Sequence, residues 1–334
     1  MKDFPLVSVI MPLYNRVHLV GETINSVIHQ TYENWELLIV DDGSTDGSYE
    51  YAKAIAVQDS RVRICKRDCS PKGAPTCRNI GLNKSEGDYI IFLDSDDLFA
   101  SQCFEQRVQA AQQYPDRDFL VFPIKYFEYQ VGDRNDIFFR YFYQDYITSF
   151  LLKSHWITMS PIWKREALVR LKGFDEQLAC MQDSDLHLRA LLEGMQFKVF
   201  RDPSLVDGYL RDSNHYSRIS NNLTAHKLDS KVAANRKMFV LLSEKKMLTP
   251  IRTRMIAAHF LNISWNYRLL GEEKKAQQLW LEAYQKEMIN RRSYQIGKSF
   301  IAVRNNHIIK KSRLLSGIVK RIYQTFLPQF LLYL

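Results

Sequence analysis

Residues 94–97 read Asp-Ser-Asp-Asp, directly after the apolar run from Tyr89 to Leu93. Asp94 and Asp96, one residue apart at a strand end, offer two hard oxygen donors suited to Mg²⁺ or Mn²⁺ shared with a diphosphate. The structural alternative is that Asp96 or Asp97 caps a helix starting near Leu98. A calcium loop counted from Asp94 fails, because Leu98 and Phe99 stand where an oxygen ligand and a glycine are needed. A second acidic stretch, VDDGSTDGS, occupies residues 40–48. Asp42, Ser44, Asp46 and Gly47 imitate the start of a calcium loop, but the twelfth position is Lys53, which cannot ligate the ion. Two readings of this stretch remain open. One is a strand-to-helix turn capped by Asp46 or Ser48; the other is Asp41 or Asp42 accepting the N3–H of a pyrimidine base.

The elements that must hold these acids alternate in type. Leu6 to Leu13 reads as a buried strand, followed by a helix with Leu19, Val20, Ile24, Val27 and Ile28 on one face. A strand over residues 36–40, a helix through Tyr51, Ala52, Ile55 and Ala56, and a strand over 61–65 come next. The loop GAPTCRN leads into a helix ending near Gly87, and then the strand 89–93. Near-continuous apolar strands alternating with helices predict an α/β protein with a mainly parallel sheet covered on both faces. Ligands of such sheets sit at the carboxyl ends of the strands, where Tyr14-Asn15, Asp41-Asp42 and Asp94 to Asp97 all fall. Residues 120–175 are aromatic and irregular, whereas from about 224 onward the pattern is helical, with a pair over 253–270 and 272–288 turning at Gly271.

Composition narrows the class. No stretch of about 18 apolar residues predicts a membrane span, and no N-terminal run has the order of a secretory signal. Five cysteines, at 65, 69, 77, 103 and 180, have no zinc spacing and read as reduced thiols of a cytoplasmic protein. The net charge of +9 is divided: residues 221–334 hold 21 Lys and Arg against 6 Asp and Glu, residues 1–220 hold 25 against 31. An acid-lined site joined to a surface for an anionic partner is expected from that division. No GxGxxG or GxxxxGK[ST] occurs, which leaves dinucleotide and P-loop readings without support.

Four segments in series, VSVIMPLYNR, SVIHQTYENWELLIVDDGSTDGS, GAPTCRNIGL and GDYIIFLDSDD, resemble the family 2 glycosyltransferases of GT-A fold in order and spacing. The resemblance covers about residues 5–220. It implies a GT-A domain over 1–222, with a nucleotide-binding half at 1–98 and an acceptor half at 99–222, and a basic helical region at 223–334. It also implies a nucleotide-sugar donor, a divalent metal (Mg or Mn), and transfer with inversion. By position, Asp41 would bind the donor base, with Asp42, Pro12, Tyr14 and Asn15 at the same pocket and Arg78 near the nucleotide. Asp94, beside Ser95, would approach the ribose, and Asp96 would coordinate the metal.

An inverting transfer needs a base for the acceptor hydroxyl. The family carries an acidic pair past a GFDE-like segment; here GFDEQLACMQDSDLHLR puts Asp183 on the base position and Gln182 where a Glu is usual. Asp185 is a substitute, and either acid can also cap the following helix. The implied reaction moves sugar from a nucleoside-diphosphate sugar, a UDP-sugar by the pyrimidine reading, to a saccharide or lipid-linked saccharide during surface polysaccharide assembly. The stretch 209–220, with Arg211, His215 and Arg218, is a candidate closure over the diphosphate. Residues 313–326 place Leu315, Ile318, Val319, Ile322 and Phe326 on one face of a basic helix. That face suits peripheral contact, through 313–334, with the inner surface of the cell membrane, or packing on the protein's own core or on a second subunit as a homodimer. Nucleic acid fits less well, since Trp265, Tyr267, Trp280 and Tyr284 have helix-core spacing. The rivals are a nucleotidyltransferase, which lacks its phosphate loop here, and an inactive sugar-nucleotide-binding module, which Gln182 favours.

Overall fold

A computed structural model describes residues 4–138, 142, 144–152, 156–212 and 223–303. The stretches 213–222, with His215 and Arg218 of the expected closure, and 304–334, with the basic amphipathic face, lie outside the described residues. Arg211 of that closure ends a strand and is held by Glu22 and the Asp96 carbonyl. The chain divides into two compact units. The first comprises Met1–Tyr141, Ser154–Gln177 and Gln182–Ser217, and the second Phe142–Lys153, Leu178–Met181 and Arg218–Leu334.

The first unit is built on a seven-stranded sheet. Strands β1 (Val7–Leu13), β2 (Trp35–Asp41), β3 (Val62–Lys66) and β4 (Tyr89–Phe92) are parallel, in the order β3-β2-β1-β4. Helices α1 (Val20–Ile28), α2 (Ser48–Gln58) and α3 (Ala74–Lys84) connect them. Every residue of β1 and β2 is buried, which is why their sequences read as near-continuous apolar runs without alternation, interrupted by Ser8, Glu36 and the terminal Asp41. Register sets the functional edge: Leu13 pairs with Asp41, so the loops after β1 and β2 leave the sheet side by side. Helix α3 approaches β1 closely, and a Cβ on Gly81 would stand 2.4 Å from Ile10 Cγ2.

Beyond β4 the sheet reverses. Strand β8 (Pro161–Lys164), followed at once by the short helix α6 (Arg165–Arg170), is antiparallel to β4 and to β6 (Phe119–Val121). Strand β9 (Phe197–Val199) closes the far edge parallel to β6. A small second sheet joins β5 (Leu98–Phe99), β10 (Gly208–Arg211) and β7 (Ile124–Phe127). No helix starts at Leu98, contrary to the capping expectation for Asp96 and Asp97. Leu98 and Phe99 instead pair with β10, and helix α4 (Cys103–Gln113) begins later. Pairing with β10 buries both side chains, a tertiary gain that overrides the local helix signal. The fully buried Arg107–Asp207 pair, bidentate at 2.7 Å through Nε and Nη2, ties α4 to the approach of β10.

The second unit contains α5 (Tyr146–Leu152) and the helices α8 (Ala225–Glu244), α9 (Pro250–Leu269), α10 (Glu273–Gln285) and α11 (Arg291–Val303). Thr224 and Thr249 cap α8 and α9 by accepting backbone N–H groups of Lys227 and Arg252, and Pro250 opens α9. Arg252 reaches Asp145 (3.1 Å) and Thr148 (3.0 Å), which fastens α5 to α9. The turn between α9 and α10 falls at Gly271, as the sequence predicts. None of the described helices is long and apolar enough to cross a membrane.

Candidate active site

The carboxyl ends of β2, β1 and β4 lie in a row, and the acids singled out in the sequence stand along it. Asp41, only 1% exposed, accepts the N–H groups of Gly43 (3.0 Å) and Ser44 (3.1 Å). Those bonds stiffen the loop and leave acceptor capacity on both oxygens. Asp46 accepts the backbone N–H of Ser48 (3.0 Å) at the start of α2 and that of Val17 (3.1 Å), so it joins the loops after β1 and β2. Asn15 does the same work from the other side. Its N–H donates to Ser44 Oγ (3.0 Å), and its Oδ1 accepts the Thr45 N–H (2.8 Å). Pro12 is buried within β1, and the Tyr14 ring carries the Lys72 ammonium 3.8 Å from its centroid. Asp42 takes a different partner: Arg67 Nε donates to it at 2.5 Å and the Gly73 N–H at 3.3 Å. Burial pushes the adjacent Cys77 thiol up to about 12, which removes it as a nucleophile near neutral pH.

The DSDD turn is met by arginines. Arg78 on α3, 2% exposed, donates from Nη2 to Asp94 Oδ1 at 2.5 Å, while Asp94 itself stays 41% exposed. The guanidinium's Nε and Nη1 are buried and find no hydrogen-bond partner among the described residues. Arg16 Nε lies 3.3 Å from Asp96 Oδ2, and Asp96 is 31% exposed. Burial and the Asp94 carboxylate hold Asp96 above the usual carboxylate range, against the pull of Arg16 and Arg211. Ser95 is buried. Asp97 accepts the Arg211 N–H (2.9 Å), and Arg211 Nε donates to the Asp96 carbonyl (2.9 Å), so Asp97 anchors β10 and caps no helix.

Helix α7 (Gln182–Leu192) brings the last acids. Asp183 is partly buried in its first turn and accepts the Ser184 N–H at 2.7 Å. Burial pushes its carboxyl up; among the charged groups around it, Arg78 pulls it down and Asp94 pushes it up. Asp183 therefore shares one electrostatic neighbourhood with the Arg78–Asp94 pair. Asp185, two residues on, is buried and pairs with Arg189 at 2.8 Å. Among the described residues no group of three or more His, Cys, Asp or Glu side chains is arranged to hold a metal ion. Asp94 and Asp96 still fit a hard cation: both are oxygen donors, both keep part of their surface exposed, and each adds negative charge beside the other. Sequence reading passed over Arg16, Arg67, Lys72 and Asn79 as site components. Arg16 and Asn79 lie inside the quoted PLYNR and CRN segments, which was the available signal.

The glycosyl transferase family 2 profile matches residues 8–170. The chain carries a family 2 glycosyltransferase domain. An uncharacterised glycosyltransferase of Haemophilus influenzae is 43% identical over 106 residues, 32% of this chain and 42% of that protein. The Escherichia coli enzyme WfgD, a UDP-Glc:α-D-GlcNAc-diphosphoundecaprenol β-1,3-glucosyltransferase, is 42% identical over 108 residues, 32% of this chain and 41% of its own. The matches thus span about two fifths of the relatives' length. The crystal structure of Staphylococcus aureus TarS 1-349 in complex with UDP-GlcNAc superposes with a TM-score of 0.66 at 18% identity, covering 88% of this chain and 87% of that one. The glycosyltransferase domain has the GT-A fold.

Proposed function

We propose that the protein is an inverting glycosyltransferase that moves a sugar from a UDP-sugar to a hydroxyl of a saccharide or lipid-linked saccharide. The observation that carries this reading is the meeting of Arg78, Asp94 and Asp183 in one charged neighbourhood at the carboxyl edge of the sheet, beside Asp96. In this reading residues 1–222 form the transferase domain and 223–334 a basic helical region. The names of WfgD and of the TarS complex, both with uridine diphosphate sugars, support the donor class, and the undecaprenyl acceptor of WfgD supports a lipid-linked one. Such an acceptor puts the reaction at the inner face of the cell membrane, within surface polysaccharide assembly.

Asp41, pre-oriented by its own loop, accepts the N3–H of the uracil, with Pro12, Tyr14, Asn15 and Asp42 around the base. Asp94 orients the ribose next to Ser95, and Arg78 holds Asp94. Asp96 would hold Mg²⁺ or Mn²⁺, which supplies positive charge to the diphosphate when bound. Asp183 takes the proton of the acceptor hydroxyl as its oxygen bonds to the anomeric carbon. The bond from that carbon to the diphosphate breaks on the opposite face, and the nucleotide leaves with the electron pair. A carboxyl raised above the ordinary aspartate range is a stronger base than a free one, which suits this role.

The experiment is transfer with Asp183→Asn beside UDP binding. Loss of about 10²–10⁴-fold in kcat with UDP affinity kept is expected, and unchanged transfer refutes the base. Gln182, where the family carries an acid, favours a second reading, a silent sugar-nucleotide-binding module. That reading requires nucleotide-sugar binding, seen as a thermal shift with Mn²⁺, with no turnover in the unsubstituted protein.

A further inference from the structure

We infer that Asn79 is a positioning residue, which clasps the segment Gly173–Glu176 to α3 and thereby sets where Asp183 stands against Arg78 and Asp94. This rests on the reading of Asp183 as the base. Asn79 Nδ2 donates to the Phe174 carbonyl (3.0 Å) and to Glu176 Oε1 (2.7 Å), and its Oδ1 accepts the Phe174 N–H (2.8 Å). The amide reads the backbone of Phe174 on both sides, as a neighbouring strand would. Both of its donor hydrogens are consumed, so Asn79 has no donor left for a substrate.

The clasped segment is shaped for this contact. Gly173 has φ +63, and a Cβ there would stand 2.4 Å from Asn79 Oδ1. The Phe174 ring lies under the Arg78 guanidinium at 5.1 Å and edge-on to Phe92, the last residue of β4, at 4.9 Å. From the other side, Arg189 on α7 donates to the carbonyls of Leu171 (2.6 Å) and Gly173 (2.7 Å) while pairing with Asp185. A continuous chain of bonds therefore runs from α3 through Asn79 and the Gly173 turn to Arg189, and so to the helix that carries Asp183. Arg78 and Asn79 are neighbours on α3, so one helix holds both the ribose-side ion pair and the register of the base.

The test uses Asn79→Asp in the full-length chain. The substitution keeps an acceptor for the Phe174 N–H but turns a carboxylate toward the Phe174 carbonyl and the Glu176 carboxylate. Expected are a fall in kcat of ~10²-fold, a UDP dissociation constant changed by less than about twofold, and faster hydrogen exchange confined to residues 171–189. Adding Glu176→Gln supplies a donor for the new carboxylate and should recover about tenfold of the loss, a rescue that general destabilisation does not produce. Retained UDP affinity reports that the variant folds. If it does not fold, Glu176→Ala, which removes one bond of three, should show the same pattern at about threefold. Unchanged kcat, a UDP affinity that falls in step with kcat, or failure of the Glu176→Gln rescue overturns the inference. An inactive Asp183→Asn beside a fully active Asn79→Asp sinks it alone. An active Asp183→Asn sinks the base and this inference together.

Discussion

Arg16, Arg67 and Arg78 each meet one acid of the carboxyl edge, respectively Asp96, Asp42 and Asp94, and each comes from a different loop or helix. Crowded carboxylates at a strand end demand positive charge, and the protein supplies part of it itself. Arg78 is buried, but Asp94 is 41% exposed and its carboxylate is screened by solvent, so the pair contributes little to stability. Arg78→Met should therefore leave the urea midpoint nearly in place while weakening UDP binding measured by calorimetry. A large loss of stability with normal UDP affinity would contradict its placement by the nucleotide. The acids themselves were legible from sequence because three carboxylates within four residues at the end of an apolar run repel one another unless positive charge meets them. Their partners were not, since an arginine side chain reaches across loops and nothing local says which acid it will find. Asp42 illustrates this: it reads as a base-pocket residue, and nothing local announces that Arg67 and the Gly73 N–H will hold its carboxylate.

Elements with strong internal patterns were readable, and those defined by their partners were not. β1, β2 and β4, buried on both faces, and the helices capped by Thr224 and Thr249 follow from the sequence. β5, β7 and β10 span two to four residues each, too short for any periodicity, and exist because they pair with one another. Gly173 is a sharp test of an element junction. Gly173→Ala puts a side chain into the left-handed region, at about 1–2 kcal/mol, and a Cβ 2.4 Å from Asn79 Oδ1. A lower denaturation midpoint together with reduced kcat is the expected result; a neutral effect would mean the turn is not held as described. Asp207→Ala, which strands the fully buried Arg107 guanidinium, should cost about 3–5 kcal/mol of unfolding free energy. Urea titration reads it directly.

At the scale of the whole molecule, pH links the core to stability. Burial lowers His187 from 6.5 to about 3, in a site where its ring stacks on Trp163. The unfolded chain binds a proton there below 6.5 and the folded chain does not until about 3, so stability falls as pH drops through that window. His187→Phe should flatten the dependence of melting temperature on pH between those limits, and an unaltered slope would assign acid sensitivity elsewhere. The sheet's change of direction has a different kind of consequence. It occurs at one seam, where β4 meets β8 through Tyr89 and Ile90 opposite Lys164 and Trp163. Asp41, Asp94 and Asp96 belong to the inboard side of that seam, while the helix bearing Asp183 follows the outboard strand β8 in the chain. On the proposed reading inheritance can act on the two sides separately: the proposed base is replaced along with the proposed acceptor half, and the proposed nucleotide ligands stay. Chimeras that exchange residues 99–212 between homologous chains should keep their taste for nucleotide and adopt the donor parent's acceptor.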